Sequence, residues 1–288
     1  MISDPYRSSI DAELHKAILV MGEKTRLREA CEYALFSGGK RLRPKLVLMI
    51  AKALGHGLDA MPAALSVEFF HTASLIADDL PCMDNDDERR NRPSLHRAFE
   101  ESIALLTSYT FIASGYGGIY KNGQRMKEVR GFQANEATIR CLEIATRCAG
   151  IFGATNGQFL DLFPPDQSLE TIRKIIEQKT VTLFQISFVF GWLFGGGDAV
   201  RLPLVESTAY HLGMAFQVAD DIQDAERDAS QVNIARIIGR DQAFDLFYWE
   251  MGLFEKGLKE LGLWNQEFEA AAAWLYKLAA SNVKPLYI

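Results

Sequence analysis

The feature that most restricts this chain is the period of its apolar residues. Phe244, Phe247, Tyr248, Met251, Phe254 and Leu258 recur at i, i+3, i+4, i+7, i+10 and i+14, the spacing that lines one face of an α-helix. Alternation with period two is scarce. Residues 59–79, 94–114, 136–162, 168–194 and 204–224 read as further long helices. Breakers fall between the helical stretches: Gly38-Gly39, Gly55–Gly57, Pro81, Pro93, Gly115–Gly123, Pro164-Pro165 and Gly195–Gly197. Pro62 and Pro203 stand near helix starts, where a missing N–H costs little. The stretch from Gly115 to Gly131 reads as the most loop-like, and Asp224 to Gln231 as the second weak point. No repeat, low-complexity tract or long linker divides the chain. The expected fold is all-α, a single large helical bundle over residues 1–288.

With 288 residues, 48% hydrophobic and 24% charged, the chain has the balance of a folded protein that can bury a large core. Its net charge of −6 excludes the broad positive field that nucleic acid or an acidic lipid surface requires. Any anionic ligand must be held by local groups of cations. Cys31, Cys82, Cys141 and Cys148 have no metal-ligand spacing and no close CxxC pair, and read as reduced thiols. Met1 to Pro5 shows no basic region followed by an apolar one, so the expected location is cytoplasmic. The longest apolar run, Leu183 to Phe194, is too short for a bilayer, which needs roughly 20 residues. It also carries Gln185 and Ser187, and reads as a buried helix.

Two acidic clusters each close a long apolar helix. In the second, Phe216-Gln217-Val218-Ala219-Asp220-Asp221-Ile222-Gln223-Asp224, Asp220 and Asp224 are four apart and point the same way, one turn apart. Carboxylates at that spacing repel each other unless a cation lies between them. Oxygen ligands without histidine or cysteine favour magnesium, which keeps several waters and bridges to substrate phosphates. The first cluster, Asp78-Asp79-Leu80-Pro81-Cys82-Met83-Asp84, follows the apolar helix Leu65 to Ile76. Asp78 and Asp84 diverge on a straight helix, but Pro81 can break it and return Asp84 to the side of Asp78. Next come Asn85 to Arg92, in which arginines among carboxylates make either a salt-bridged surface or a grip on a diphosphate. A third cluster, Ser37-Gly38-Gly39-Lys40-Arg41-Leu42-Arg43-Pro44, joins two helices, and its three cations suit a phosphate. Walker, GxGxxG and nucleophile-elbow frames are absent.

Singly, each signal has a plain structural explanation. Asp-Asp-x-x-Asp is often a solvated helix end, and Gly-Gly-Lys-Arg a helix C-cap followed by surface charge. Phe216-Gln217 alone would be core packing, His71 a satisfied core histidine, and Lys179-Thr180 nothing in particular. Their joint occurrence carries the argument.

Together these residues resemble the trans-isoprenyl diphosphate synthase family, the farnesyl and geranylgeranyl diphosphate synthases. The likeness runs in order from about Gly38 to about Gly239. It takes in Gly38 to Pro44, His71 to Pro93, Gly157-Gln158-x-x-Asp161, Lys179-Thr180, and Phe216 to Asp224. The resemblance implies a helical bundle of the isoprenoid synthase type with a deep central cavity, usually a homodimer. It implies that Lys40, Arg43, His71 and Arg90 hold isopentenyl diphosphate. Asp78, Asp84, Asp220 and Asp224 would bind magnesium. Arg89, Lys179, Thr180 and Gln217 would hold the allylic diphosphate, with Phe216 offering its ring to a carbocation. Asp78, Asp79, Asp84, Arg89, Lys179 and Asp220 form the expected catalytic set.

The implied chemistry ionises the allylic C–O bond against metal and cationic side chains, in a cavity that excludes water. The double bond of isopentenyl diphosphate then attacks the carbocation, and a proton is lost. Product length would be set on the helix before Asp78. Ala73, the fifth residue before it, stands where short-chain members often carry an aromatic. That opens the floor toward Phe69 and Phe70 and favours geranylgeranyl over farnesyl diphosphate, unless Phe70 or Phe111 closes the space. The chain departs from the family pattern at Ala77, where histidine is usual, and at Ser108-Tyr109, where Gly-Asp is usual. Gln231 stands near an expected lysine, with Arg227 and Arg236 as the nearby cations. A non-catalytic subunit of a synthase or a terpene cyclase would share parts of this pattern. The retained aspartates oppose the first, and Lys40, Arg43 and Arg90 the second.

Overall fold

The computed structural model describes residues 4–225 and 232–280. Among these residues run fourteen α-helices and one two-stranded hairpin, the all-α architecture that the apolar period requires. α1 (Pro5–Leu19), α2 (Arg26–Leu35) and α3 (Leu42–Ala53) lead to α4 (Met61–Asp78), which is buried on most of its circumference. Its faces serve two cores. Val67 and Phe70 enter the larger, while Leu65, Phe69, Ala73 and Ile76 enter the smaller, packed under α1 and α2. Pro62 sits in the first turn of α4, as Pro203 does in α11 (Leu202–Asp224).

The run from Leu183 to Phe194 forms the expected buried helix, α10 (Thr182–Phe194), in which Gln185 alone escapes full burial. Phe184, Phe188, Phe190 and Phe194 are all 0% exposed, and each such ring contributes about 1.5–3 kcal/mol to folding. In α13 (Arg240–Glu260) the apolar stripe buries Phe247, Met251, Phe254 and Leu258. Tyr248 departs from the stripe: it is 55% exposed and stacks on Tyr276 of α14 (Gln266–Ala280).

Gly115 to Gly131 is not a loop. Through residue 130 it continues α6 (Glu101–Arg130), and its glycines serve packing. A Cβ on Gly115 would lie 2.5 Å from the Phe70 ring, and one on Gly118 would lie 2.8 Å from the Pro62 carbonyl. Glycine there marks two helices in close approach, which sequence alone does not distinguish from a turn. The helix expected over 94–114 is cut at Glu100, whose φ of 76° separates α5 (Leu95–Phe99) from α6. That expected over 136–162 divides into α7 (Gln133–Ala149) and α8 (Ala154–Leu162). Between α9 (Leu169–Ile176) and α10 lies one wide turn with i+5 bonding, Glu177–Val181.

Candidate functional site: a cleft with an acidic and a basic end

At the end of α4 the chain doubles back around Pro81. The Asp84 N–H donates to the Asp78 carbonyl at 2.9 Å and the Asn85 N–H to the Leu80 carbonyl at 3.1 Å. The break at Pro81 thus returns Asp84 to Asp78. Burial pushes the Asp78 carboxyl up to about 7; the charges of Asp84 and Asp79 add to this, and Lys179 and Arg89 oppose it. Asp79 is 3% exposed, and its carboxylate takes the Arg89 Nε at 2.9 Å and the Arg89 Nη2 as well. Asp79, expected in the catalytic set, therefore holds Arg89 rather than opening on the cleft. Arg89 lies in a hairpin, Glu88–Arg89 against Arg92–Pro93, turned by Arg90 and Asn91 at φ 57° and 58°. From this left-handed turn position Arg90 reaches away from Asp79, its Nη1 donating to the Gly38 carbonyl.

The second motif has the same division. Asp221 is 6% exposed and accepts from Gln217 Nε2 at 2.8 Å and from the Ile234 N–H at 2.7 Å. Ile234 begins α12 (Ile234–Ile238), so Asp221 braces the chain beyond the motif. Thr180 Oγ1 donates to Gln217 Oε1 at 2.9 Å. The outer aspartates are placed otherwise. Asp78 lines an apolar cavity, Asp84 takes Gln158 Nε2 at 3.2 Å, and burial lowers the Lys40 ammonium, with the nearby charge of Asp220 opposing it.

Lys179 and Thr180 lie on the wide turn between α9 and α10, where one extra residue changes which side chains face the cleft. Lys179 is paired with Asp161 of α8, and Asp78 and Asp84 also raise its pKa. Gly157 permits this approach, because a Cβ there would overlap the Lys179 backbone. Gln158 and Asp161 were given no role from sequence. Their signal is an i, i+3 pair on one helix face, and its meaning depends on Asp84 and Lys179 arriving from other helices.

At the basic end, Gly38 at φ 107° and Gly39 at φ 114° carry the chain from α2 into α3. A Cβ on Gly39 would lie 2.7 Å from Arg90 Nη1, so the glycine seats that guanidinium. Arg41, one of the three cations expected to suit a phosphate, is committed elsewhere. It is 5% exposed and bonds Asp11 at 2.9 Å, Glu68, and the Leu35 carbonyl at 2.6 Å. Breaking such a buried pair costs about 3–5 kcal/mol, which marks Arg41 as a structural residue. Arg43 Nη1 stands 3.3 Å from His71 Nε2. A guanidinium cannot accept a hydrogen bond, so Nε2 accepts and the ring carries its proton on Nδ1. Burial and the surrounding arginines hold His71 neutral. Lys40, Arg43, His71, Arg90 and Phe216 line one small cavity of about 20 Å³.

Five buried side-chain atoms at these ends make no hydrogen bond: Lys40 Nζ, Arg43 Nε, His71 Nδ1, Gln158 Oε1 and Asp224 Oδ1. The donors are at the basic end and the acceptors by the acidic motifs. An anion on one side and a hard cation on the other would satisfy both sets. All-oxygen donors, among them a carboxyl that burial raises to about 7, fit magnesium. Among the described residues no three acidic, histidine or cysteine side chains already converge as a cation site.

From Asp78 an apolar cavity of about 620 Å³ runs between α4, α6 and α8, lined by Phe70, Ala73, Ala77, Ser108 and Tyr116 among others. Ala77 and Ser108, two of the departures from the family pattern, thus face this space, and Ser108 Oγ ties α6 to the Ala73 carbonyl at 3.0 Å. Phe69 and Phe111 do not line it. Their rings stack on each other at 5.7 Å in the smaller core. Phe70 does, edge-on to Tyr116 at 5.2 Å. Arg236 is exposed on α12, while Arg227 and Gln231 lie outside the described residues.

This all-helical cleft, with two aspartate motifs over an apolar cavity, is that of an isoprenoid-synthase-type fold. Residues 24–249 match the family described as Polyprenyl synthetase, and the chain belongs to that family. It is 35% identical over 241 residues to a chloroplastic geranylgeranyl pyrophosphate synthase of Capsicum annuum, covering 82% of this chain and 63% of the relative. It is 33% identical over 258 residues to the farnesyl diphosphate synthase of Geobacillus stearothermophilus, covering 88% and 84%. A geranyltransferase crystal structure from Legionella pneumophila superposes with a TM-score of 0.82 at 27% identity, covering 97% of this chain and 96% of that one. The chain spans 63–65% of the length of several plant relatives that it matches.

Proposed function

We propose that this protein is a magnesium-dependent prenyltransferase that condenses isopentenyl diphosphate with an allylic diphosphate. The observation that carries the reading is the separation of buried acceptors at one end of the cleft from buried donors at the other, beside an apolar cavity. Asp78, Asp84, Asp220 and Asp224 would hold the metal, which when bound supplies charge to a departing diphosphate. Lys179, Arg89, Thr180 and Gln217 orient that diphosphate, and Asp79 and Asp161 hold Arg89 and Lys179 in place. Lys40, Arg43, Arg90 and the Nδ1–H of His71 bind the second diphosphate. The allylic C–O bond breaks with its electron pair going to the leaving diphosphate. The isopentenyl double bond then attacks C1, and a proton leaves C2. Phe216, 4% exposed at the basic end, presents a ring to the cation. The apolar walls keep water from quenching it.

The product in this reading is short, with geranylgeranyl diphosphate the best fit and farnesyl diphosphate the alternative. Ala73 on the cavity wall supports the longer chain, and the floor falls to the Phe70–Tyr116 pair. Phe70 lies two helical turns below Asp78, about 12 Å at 1.5 Å per residue. We place the enzyme in one domain over residues 1–288, acting as a homodimer in the cytosol. Four unpaired cysteines support a reducing compartment, and no helix of the described residues is long and apolar enough to cross a membrane.

The test is a product assay with magnesium, labelled isopentenyl diphosphate and dimethylallyl, geranyl or farnesyl diphosphate in turn. Elongation ending at twenty carbons is expected. Ending at fifteen keeps the enzyme and puts the stop at Phe70. A folded protein giving no product from any primer would overturn the assignment.

A further inference from the structure

Arg90 apart, which bonds the Gly38 carbonyl, the cations of the cleft fall into two kinds. Arg41, Arg89 and Lys179 each face carboxylates: Asp11 and Glu68, Asp79, and Asp161. Lys40 and Arg43 instead lie over aromatic rings and bond no carboxylate of the described residues, although the charges of Asp220 and Glu68 reach them from farther off. Lys40 Nζ is 5.0 Å from the centroid of Trp274, and the Arg43 guanidinium carbon is 4.8 Å from that of Phe184. The difference matters to an incoming anion. A carboxylate neutralises the cation beside it and competes with a phosphate for the same N–H donors. A ring attracts the cation through its quadrupole but carries no net charge, so the cation's charge and its free donors stay available. Lys40 meets that description: its Nζ is buried and makes no hydrogen bond.

Trp274 is brought to Lys40 by α14, which is tied down at both ends. Near its start, Glu267 accepts from Lys52 of α3 at 2.7 Å and from the Tyr6 hydroxyl of α1 at 2.8 Å. Near its end, the Leu278 carbonyl accepts from Gln223, which stands within the second aspartate motif. Trp274 lies between these ties, half-buried against the larger core. The helix therefore spans from the element that follows the Gly38–Arg41 loop to the motif that carries Asp220 and Asp224. A lysine stem has four rotatable carbons and loses much rotamer freedom when fixed. A ring anchored from both sides removes that freedom before any ligand arrives.

We propose that Trp274 is a positioning residue of the isopentenyl diphosphate site, holding the Lys40 ammonium over its indole so that the amine meets the diphosphate without being neutralised. The inference rests on the prenyltransferase reading and names a residue that no motif of this chain contains. Phe184 holds Arg43 in the same manner, and its ring packs on Phe216 at 5.3 Å, so the donors of the basic end share an aromatic support.

The experiment is calorimetric titration of isopentenyl diphosphate into the full chain without an allylic partner. It is paired with KM measurements for both substrates, for wild type, Trp274→Phe, Trp274→Ala, Lys40→Ala and the Lys40→Ala/Trp274→Ala double variant. Trp274→Ala is expected to weaken isopentenyl diphosphate binding about five- to tenfold, the range of a partly buried cation–π contact. Trp274→Phe should recover most of that loss, and the allylic KM should stay within about twofold. In the Lys40→Ala background the tryptophan change should have almost no effect, because its action runs through the lysine. Unchanged binding in Trp274→Ala, or an equal loss in both backgrounds, overturns the inference and leaves the proposed function standing; the equal loss would mean a loosened α14. A folded wild type that binds no isopentenyl diphosphate overturns both.

Discussion

At the acidic end of the cleft Asp78, Asp84 and Asp161 gather around Lys179, whereas at the basic end Lys40, Arg43 and Arg90 gather around a neutral histidine. The nearby Glu68 of the basic end is already taken by Arg41. Burial acts on the two ends in opposite senses, raising Asp78 to about 7 and lowering Arg43 to about 10. In both cases it penalises the charged form, and in both the missing counter-charge is what the ligand would bring. In the proposed function, the difference is how one cleft would tell two diphosphates apart. An allylic diphosphate that must lose its bond needs a cation able to follow the charge as it develops. A diphosphate that only needs holding is served by fixed donors already aimed.

The largest expected effect attacks the acidic end alone. Asp78→Ala should lower turnover by about a thousandfold or more, while isopentenyl diphosphate binding stays within about threefold and the melting temperature is kept. An unfolded variant would make Asp78 structural and end the comparison. Next, removal of divalent cations with a chelator should weaken geranyl diphosphate binding by about a hundredfold and isopentenyl diphosphate binding by less than about threefold. Equal losses in calorimetry would mean that the ends are not distinct.

The smallest effect is on stability. Asp78 has a folded value of about 7 against 3.8 in the reference state, so its contribution is fully present below the lower value and is lost as pH rises through the higher one. The metal-free protein should therefore lose a few degrees of melting temperature between about pH 4 and 7 and level off above it, and Asp78→Asn should remove that slope. A metal-free melting temperature that holds or rises over this range would show that burial does not raise Asp78.

Much of this could be read from the chain. The break at Pro81 and the buried helix ending at Phe194 follow from local chemistry: a missing N–H and an uninterrupted apolar run. Other parts were hidden for a common reason. Gly115 and Gly118 look like turn residues until Phe70 and Pro62 stand against them. Arg41 looks like a phosphate ligand until Glu68, from another helix, takes it. Phe69, Phe70 and Phe111 all suit a cavity floor by type, but only Phe70 faces the cavity, because α4 presents its neighbour to a different core.

The sequence by itself determined the all-α class and the two aspartate motifs, since period and proline position act within a few residues. Tertiary structure alone decided which aspartate of each motif opens on the cleft and which braces it, and which cations face carboxylates and which face rings. Those outcomes depend on partners brought from distant helices, such as Asp161 to Lys179 and Trp274 to Lys40. In a buried site the partner, more than the residue type, sets how much charge a side chain has left to give.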